Sequence, residues 1–321
     1  MLTRRHFGLL AGTSLVGLAA GSLTGRSAWA EPARTLRVGY QKAGLLAVAR
    51  REKSIEKQLE ADGVTVDWVE FAAGPPLLEA LNVGAIDFGW TGDAPPIFAQ
   101  AAGANLVCVG AAPSNGKGEA IIVKDGSPVK AVADLKGRKV AVTKGSSAHN
   151  LLVAALEKSG IAFADIEPVY LSPADAAAAF ASDRVDAWSI WDPFLALAEA
   201  RQPVRQLTTT AETVEVNTYL LANKTFAEAN PAIVAKVIAG LTDTAEWAKA
   251  NRPEIAKALS EITGVPIGPQ TIAVERSVYG IEPLTDAIIA GQQVTADRFF
   301  KLGLIPRQIT VSDAVWSAPR A

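Results

Sequence analysis

Short β-branched runs alternate with helical stretches through the first two hundred residues, and that alternation limits the chain to a small set of folds. Leu36-Arg37-Val38-Gly39-Tyr40 predicts a strand, and residues 43–61 carry helical periodicity. Residues 64–71 alternate at strand period, 75–82 predict a short helix, and Ile86-Asp87-Phe88-Gly89-Trp90 returns as strand. A helix over 95–102 and a strand over 105–110 complete this series. Pro113-Ser114-Asn115-Gly116-Lys117-Gly118 is polar and rich in turn formers, a crossing point between domains. A second series follows, with strands over 120–123, 140–143, 169–171 and 187–190 and a helix from Ala148. The run 216–221 is a strand able to carry the chain back to the first domain, and helices are expected over 231–250, 253–262 and 284–302. Strands alternating with helices predict an α/β architecture with a mainly parallel sheet.

Ligands of such sheets lie outside the carboxyl ends of the strands, which singles out the loops 41–44, 91–94 and 144–150. The last is the most informative. Val140-Ala141-Val142-Thr143 stops at Lys144-Gly145, and Leu151, Leu152, Ala155 and Leu156 recur at helical spacing. Ser146 and Ser147 therefore fall at a helix N-terminus, where unpaired N–H groups and the positive end of the helix dipole suit a tetrahedral oxyanion. The plainer reading makes one of these serines an N-cap.

Residues 1–30 read as an export signal. Arg4-Arg5-His6-Phe7 precedes a short, glycine-broken apolar run that closes with Ala28-Trp29-Ala30. This resembles a twin-arginine signal cleaved before Glu31, with the periplasm as destination. No other apolar stretch is long enough to span a bilayer, so a soluble mature protein is expected. The chain carries 31 Lys and Arg against 33 Asp and Glu. Because Arg4, Arg5 and Arg26 leave with the signal, the mature protein is more acidic still, which gives no electrostatic footprint for nucleic acid. Cys108 is the one cysteine, so no intramolecular disulfide can form, and stability must come from core burial.

Several loops together resemble one family. They are Gly39-Tyr40-Gln41-Lys42, Trp68-Val69-Glu70-Phe71-Ala72-Ala73-Gly74-Pro75, Leu78-Glu79-Ala80-Leu81-Asn82-Val83-Gly84 and Thr91-Gly92-Asp93-Ala94-Pro95-Pro96-Ile97-Phe98-Ala99-Gln100. The segments 132–141, 145–150 and Ala187-Trp188-Ser189-Ile190-Trp191-Asp192-Pro193-Phe194 belong with them. The chain is similar to the aliphatic sulfonate-binding proteins that deliver alkanesulfonates to an ABC importer for sulfur acquisition. The resemblance implies a two-lobed periplasmic-binding-protein fold, each lobe a mainly parallel sheet flanked by helices. Lobe 1 would comprise residues 31–115 plus 222–321, and lobe 2 residues 116–221. The ligand would lie in the cleft, which closes by hinge motion. It also implies an ABC permease and its ATPase subunit as partners of a monomeric receptor, with no cofactor and no metal.

An alkanesulfonate is a permanent anion with three equivalent oxygens and an apolar tail, so its site needs many donors and no titrating base. Backbone N–H groups at Gly145, Ser146 and Ser147 and the two serine hydroxyls can supply several. Across the cleft, Thr91, Gly92 and the backbone near Asp93 precede a second helix expected to begin with Pro95. Two helix tips would thus face one anion. Gln41 offers an amide donor, and Lys42 an attracting charge if it is not simply solvated. Asp93, an acceptor when ionised, is expected to cap its helix, orient a donor or bind the amine of an aminosulfonate. Trp188 and Trp191 stand three apart, so on a continuous strand they point to opposite faces. Trp191, at the strand end, is the one expected to wall the cleft or else to pack in the core. Asn217 and Tyr219 on the return strand are further ligand candidates. His149 sits one turn from Ser146, with a surface or capping role expected.

Alternatives keep the receptor role but change the ligand to taurine, a sulfate ester, nitrate or another small anion. An enzyme is the rival class, but Ser146 and His149 lack a G-x-S-x-G elbow, and neither zinc-ligand spacing nor a P-loop or G-x-G-x-x-G occurs. No catalytic activity is therefore expected.

Overall fold

A computed structural model describes residues 35–317; the export-signal segment lies outside them. Ten strands form two five-stranded sheets. The first holds β1 (Thr35–Tyr40), β2 (Thr65–Glu70), β3 (Phe88–Thr91), β4 (Leu106–Pro113) and β10 (Asn217–Asn223), in the order β2-β1-β3-β10-β4. The second holds β5 (Glu119–Lys124), β6 (Lys139–Val142), β7 (Glu167–Tyr170), β8 (Ala187–Trp191) and β9 (Val204–Thr209), in the order β7-β6-β8-β5-β9. In the first sheet β1 runs parallel to β2 and β3, while β10 is antiparallel to both its neighbours. In the second, β6 runs parallel to β7 and β8, while β5 is antiparallel to both of its own. Each sheet thus has four strands in one direction and one reversed. This is the two-lobed periplasmic-binding-protein fold. The chain crosses between sheets twice, from β4 to β5 and from β9 to β10.

Side-chain alternation explains how helices cover both faces of the second sheet. Ile121, Val123, Val140 and Val142 bury against the helix Ser147–Lys158 through Leu151, Leu152 and Ala155. Their neighbours Ala120, Ile122 and Ala141 face the other way, onto Phe180, Trp188 and Leu195 from β8 and the helices Pro173–Ala181 and Phe194–Arg201. On the first sheet, Val38, Phe88 and Leu220 join a core with Leu45, Leu46, Val234, Val237, Ile255 and Leu259 from three helices. Among the described residues no helix is long and apolar enough to cross a membrane.

Three elements differ from the sequence expectation. The helix expected over 43–61 breaks at Lys53, which adopts a left-handed φ of 52°, into Leu45–Glu52 and Ser54–Leu59. β9 has no clear alternation because it lies at a sheet edge with its side chains only partly buried. The helix Ile267–Arg276 exposes Ile267 and Ile272 while burying Gln270, which inverts the usual pattern.

The helix Pro231–Ala250 crosses Ser54–Leu59 at Gly240, where a Cβ would stand 2.9 Å from the Ser54 carbonyl oxygen. Backbone cannot yield there as a side chain could. Gly240→Ala is therefore expected to destabilise the protein by about 1–3 kcal/mol through overpacking, measured as a lower urea midpoint. An unchanged or raised midpoint would contradict the close approach.

Candidate functional site

The carboxyl ends of β1, β3, β6 and β8 deliver their loops to one cleft of about 210 Å³. Gln41, Lys42, Trp90, Gly92 and Asp93 line it from the first sheet, and Glu119, Ser146, Ser147 and Trp191 from the second. Asn217 and Thr218 from the start of β10, Ser114 to Gly116 from the crossing, and Arg276 to Tyr279 complete the wall. The two sheets come close here. A Cβ on Gly92 would lie 2.7 Å from the Ser147 Cβ, so a side chain at position 92 would force the two loops apart.

The helix tip at Ser147 divides its donors. Gly145, with φ +72°, turns its N–H onto His149 Nδ1 at 3.1 Å. The Ser146 N–H is taken by the Thr143 carbonyl at 3.2 Å. The Ser146 hydroxyl donates to that same carbonyl at 2.7 Å and accepts from the His149 N–H at 3.3 Å, so Ser146 is the N-cap. This leaves the N–H groups of Ser147 and Ala148 without a partner among the described residues, as expected at the first turn of a helix. The donors available to an anion are therefore shifted one residue onward from the expected Gly145-Ser146-Ser147 set.

The opposing helix runs Ala94–Ala101, with Pro95 near its start as expected and Pro96 directly after it. Two of its first three residues have no N–H to offer. It can contribute its dipole and little else.

Other expected residues fall into two groups. Gln41 lines the cleft with its Nε2 donating to the Trp90 carbonyl at 3.1 Å, and Asn217 lines it from the start of β10. Trp191 is half-buried on the wall, edge-on to Phe194 at 6.1 Å, whereas Trp188 is buried against Phe180 in the core. Thr91, Tyr219 and Gly145 do not line the cleft: the first two are buried in the sheet, and Gly145 packs toward the Phe98 ring. Lys42 is tied down, with its ammonium donating to the Thr263 carbonyl at 2.7 Å and 3.3 Å from Glu70. His149 is neither a surface residue nor a cleft residue. It is fully buried among Phe98, Phe163, Tyr170 and Phe299.

Sequence reasoning missed two charged residues. Glu119, the first residue of β5, is buried and accepts from the Ser147 hydroxyl at 2.6 Å and the Thr210 hydroxyl at 2.7 Å. Burial raises its carboxyl above the ordinary range, and the two hydroxyl donors pull the other way. A glutamate opening an otherwise apolar strand directly after a glycine-rich crossing was the available signal. Arg276 reaches the cleft wall from the far C-terminal region, pairing with Glu199 at 2.8 Å and Asp192 at 3.4 Å. No local motif marks it. Asp93 is buried, with Oδ2 accepting from the Asn150 amide, its carbonyl accepting from Gln292 at 2.6 Å, and Oδ1 without a partner among the described residues. Burial and then the neighbouring Glu119 push its carboxyl up to about 7, against the Asn150 hydrogen bond.

A family model described as NMT1/THI5 like matches residues 59–256. The periplasmic aliphatic sulphonate binding protein from Escherichia coli is 41% identical, with 90% of this chain and 94% of that one covered and a TM-score of 0.81. The chain belongs to this family. The alkanesulfonate-binding protein from Xanthomonas axonopodis pv. citri, solved bound to MOPS, is 40% identical over 89% of this chain and 99% of its own, with a TM-score of 0.83. A taurine-binding periplasmic protein of Escherichia coli (strain K12) is 29% identical over 258 residues, 75% of this chain and 77% of that protein. These three relatives are described as binding proteins.

Burial, and after it Lys144, lowers the pKa of His149 to about 4, against about 6.5 in an unfolded chain. Between those values the unfolded state binds more protons, so this contribution to stability is intact at neutral pH and lost as the pH falls. His149→Asn keeps an acceptor near the Nδ1 position but cannot titrate. The loss of urea midpoint from pH 7 to pH 5 is expected to be smaller in this variant than in the parent, whatever its absolute stability. Equal losses would contradict the buried neutral imidazole.

Proposed function

We propose that this chain is an exported solute-binding receptor that captures alkanesulfonates between its two lobes and hands them to an ABC permease and its ATPase subunit. The coarser statement, a receptor of the ABC-import type for a small, sulfonate-related anion, follows from family membership. Support for the finer one comes first from the tip of the helix Ser147–Lys158. Its unbonded Ser147 N–H belongs to a residue lining a cleft that also holds Trp90, Trp191 and Phe194, and the unbonded Ala148 N–H follows on the same helix turn. Backbone donors with the positive end of a helix dipole suit the charged head, and the aromatic surfaces suit an alkyl tail. Arg276 and Lys42 add positive charge to the wall, although carboxylates already pair with each.

The lobes follow the sheets in this reading. Lobe 1 takes β1 to β4 with β10 and the C-terminal helices, and lobe 2 takes β5 to β9. The segment 1–30 is read as a twin-arginine signal and places the monomeric receptor in the periplasm. Gln41, Gly92, Asp93, Ser146, Ser147, Trp191 and Asn217 are the ligand-facing residues, with Ala148 joining them through its N–H.

One observation favours a second ligand class. Asp93 Oδ1 is buried at the cleft wall without a partner, which suits the ammonium of an aminosulfonate such as taurine. Calorimetric titration of the protein lacking residues 1–30 separates these readings, using methane-, butane- and octanesulfonate, taurine, sulfate and nitrate. An alkanesulfonate is expected to bind best. Ser147→Ala should weaken it by about 0.5–1.5 kcal/mol, the worth of one hydrogen bond. Preference for taurine would support the Asp93 reading, and binding of sulfate without any sulfonate would reassign the receptor to inorganic anions.

A further inference from the structure

A receptor for a strong-acid anion has little evident use for a buried carboxylate in its wall, yet Glu119 stands there with both oxygens engaged. Ser147 donates to Oε1 at 2.6 Å and Thr210 to Oε2 at 2.7 Å. A hydroxyl has one proton to give. While Ser147 spends it on Glu119, its oxygen can offer the cleft only lone pairs, which repel an anion. Ser147 and Glu119 both line the cleft, joined by this hydrogen bond. The helix tip therefore presents two N–H donors beside a hydroxyl pointed the wrong way and a carboxylate charge.

One proton removes the conflict. With Glu119 neutral, its own O–H donates to the Ser147 oxygen, and the Ser147 proton turns outward to the anion. Thr210 continues to donate to the remaining Glu119 oxygen, so every group in the chain keeps a partner. No bond beyond these O–H bonds is made or broken, and the proton comes from solvent. We propose that capture of a sulfonate at this cleft is coupled to protonation of Glu119, which acts through Ser147 as the positioning residue for the anion's hydroxyl donor. The inference rests on the receptor reading above and adds the linkage to it.

Other titratable groups face Glu119. Asp93, at the start of the helix Ala94–Ala101, is the second buried acid of the cleft, and the Glu119 charge helps push its carboxyl up to about 7, so the two compete for a proton and hydrogen-bond geometry singles out Glu119 as the one joined to Ser147. From the turn after β8, Asp192 lies against Gly118, with its charge countered by Arg276. His149, on the same helix as Ser147, is held neutral by burial and offers no compensating cation. Glu212, after Thr210, is exposed and accepts from the Thr209 N–H at 3.0 Å. Burial already raises the Glu119 carboxyl in the empty site, and an anion adjacent to Ser147 raises it further.

The test is calorimetric titration with butanesulfonate from pH 6 to 9, at each pH in two buffers of different ionisation enthalpy, which counts the protons taken up. The parent protein is expected to take up close to one proton per ligand above the pKa of the empty site. Its affinity there should fall up to tenfold per pH unit. Glu119→Gln, whose amide can donate to Ser147 without titrating, should lose both the uptake and the slope, and Ser147→Ala, which removes the hydroxyl that links the acid to the anion, should reduce the uptake. Binding by the parent with no proton uptake at any pH overturns the coupling and leaves the receptor reading standing. Uptake that survives Glu119→Gln also overturns it, assigning the proton to another group such as Asp93. No butanesulfonate binding at any pH overturns the receptor reading and the coupling together. Should Glu119→Gln fail to fold, as its circular dichroism would reveal, Ser147→Ala still decides, because undiminished uptake there overturns the coupling.

Discussion

The approach of Gly92 to Ser147 sets the geometry on which the site depends. These residues end a strand in the first sheet and begin a helix on the second, and a methyl group at position 92 would already collide with Ser147. The Asn150 to Asp93 hydrogen bond lies one helical turn behind that contact, and it too joins the two sheets. Parallel strands send their carboxyl-end loops to a common edge. Two such edges, brought face to face at a glycine, enclose a cleft without any dedicated binding domain. The reversed strand in each sheet follows from the same plan, because the chain must cross between sheets twice.

Charge at the cleft runs against a simple picture of anion binding. Arg276 and Lys42 reach the wall, but Asp192, Glu199 and Glu70 pair with them. Glu119 and Asp93 add buried acids. Positive potential at the headgroup position must therefore come mainly from oriented backbone, chiefly the first turn of the helix Ser147–Lys158. A helix tip of this kind carries partial charge without a counterion and is fixed by the fold before the ligand arrives. Discrimination against the wrong anion then falls to the neighbouring acids and to the aromatic walls of Trp90 and Trp191.

The alternation of strands and helices was legible because each face of a sheet in this fold is covered, which stamps a regular apolar pattern on the chain. Residues at strand ends, such as Gln41, Gly92, Ser147 and Trp191, could be placed at the cleft for the same reason. Trp188 and Trp191 separated as strand geometry requires. What the sequence hid was partnership. Nothing local distinguishes a Gly145 N–H aimed at a ligand from one aimed at His149, and Pro95 and Pro96 look like a good helix start while removing its donors. Glu119 and Arg276 act through contacts made 28 and 84 positions away, with Ser147 and Asp192. Such pairings become visible only once the topology is known.

The proposed function needs the anion's headgroup to sit on the Ser147 and Ala148 amides. Backbone ¹⁵N–¹H spectra recorded during addition of butanesulfonate address it directly. These two amides are expected to move most, with large downfield proton shifts, while the already bonded Gly145 and Ser146 amides move less. Saturable binding in which Ser147 and Ala148 stay still, with the largest shifts elsewhere on the protein, would contradict it.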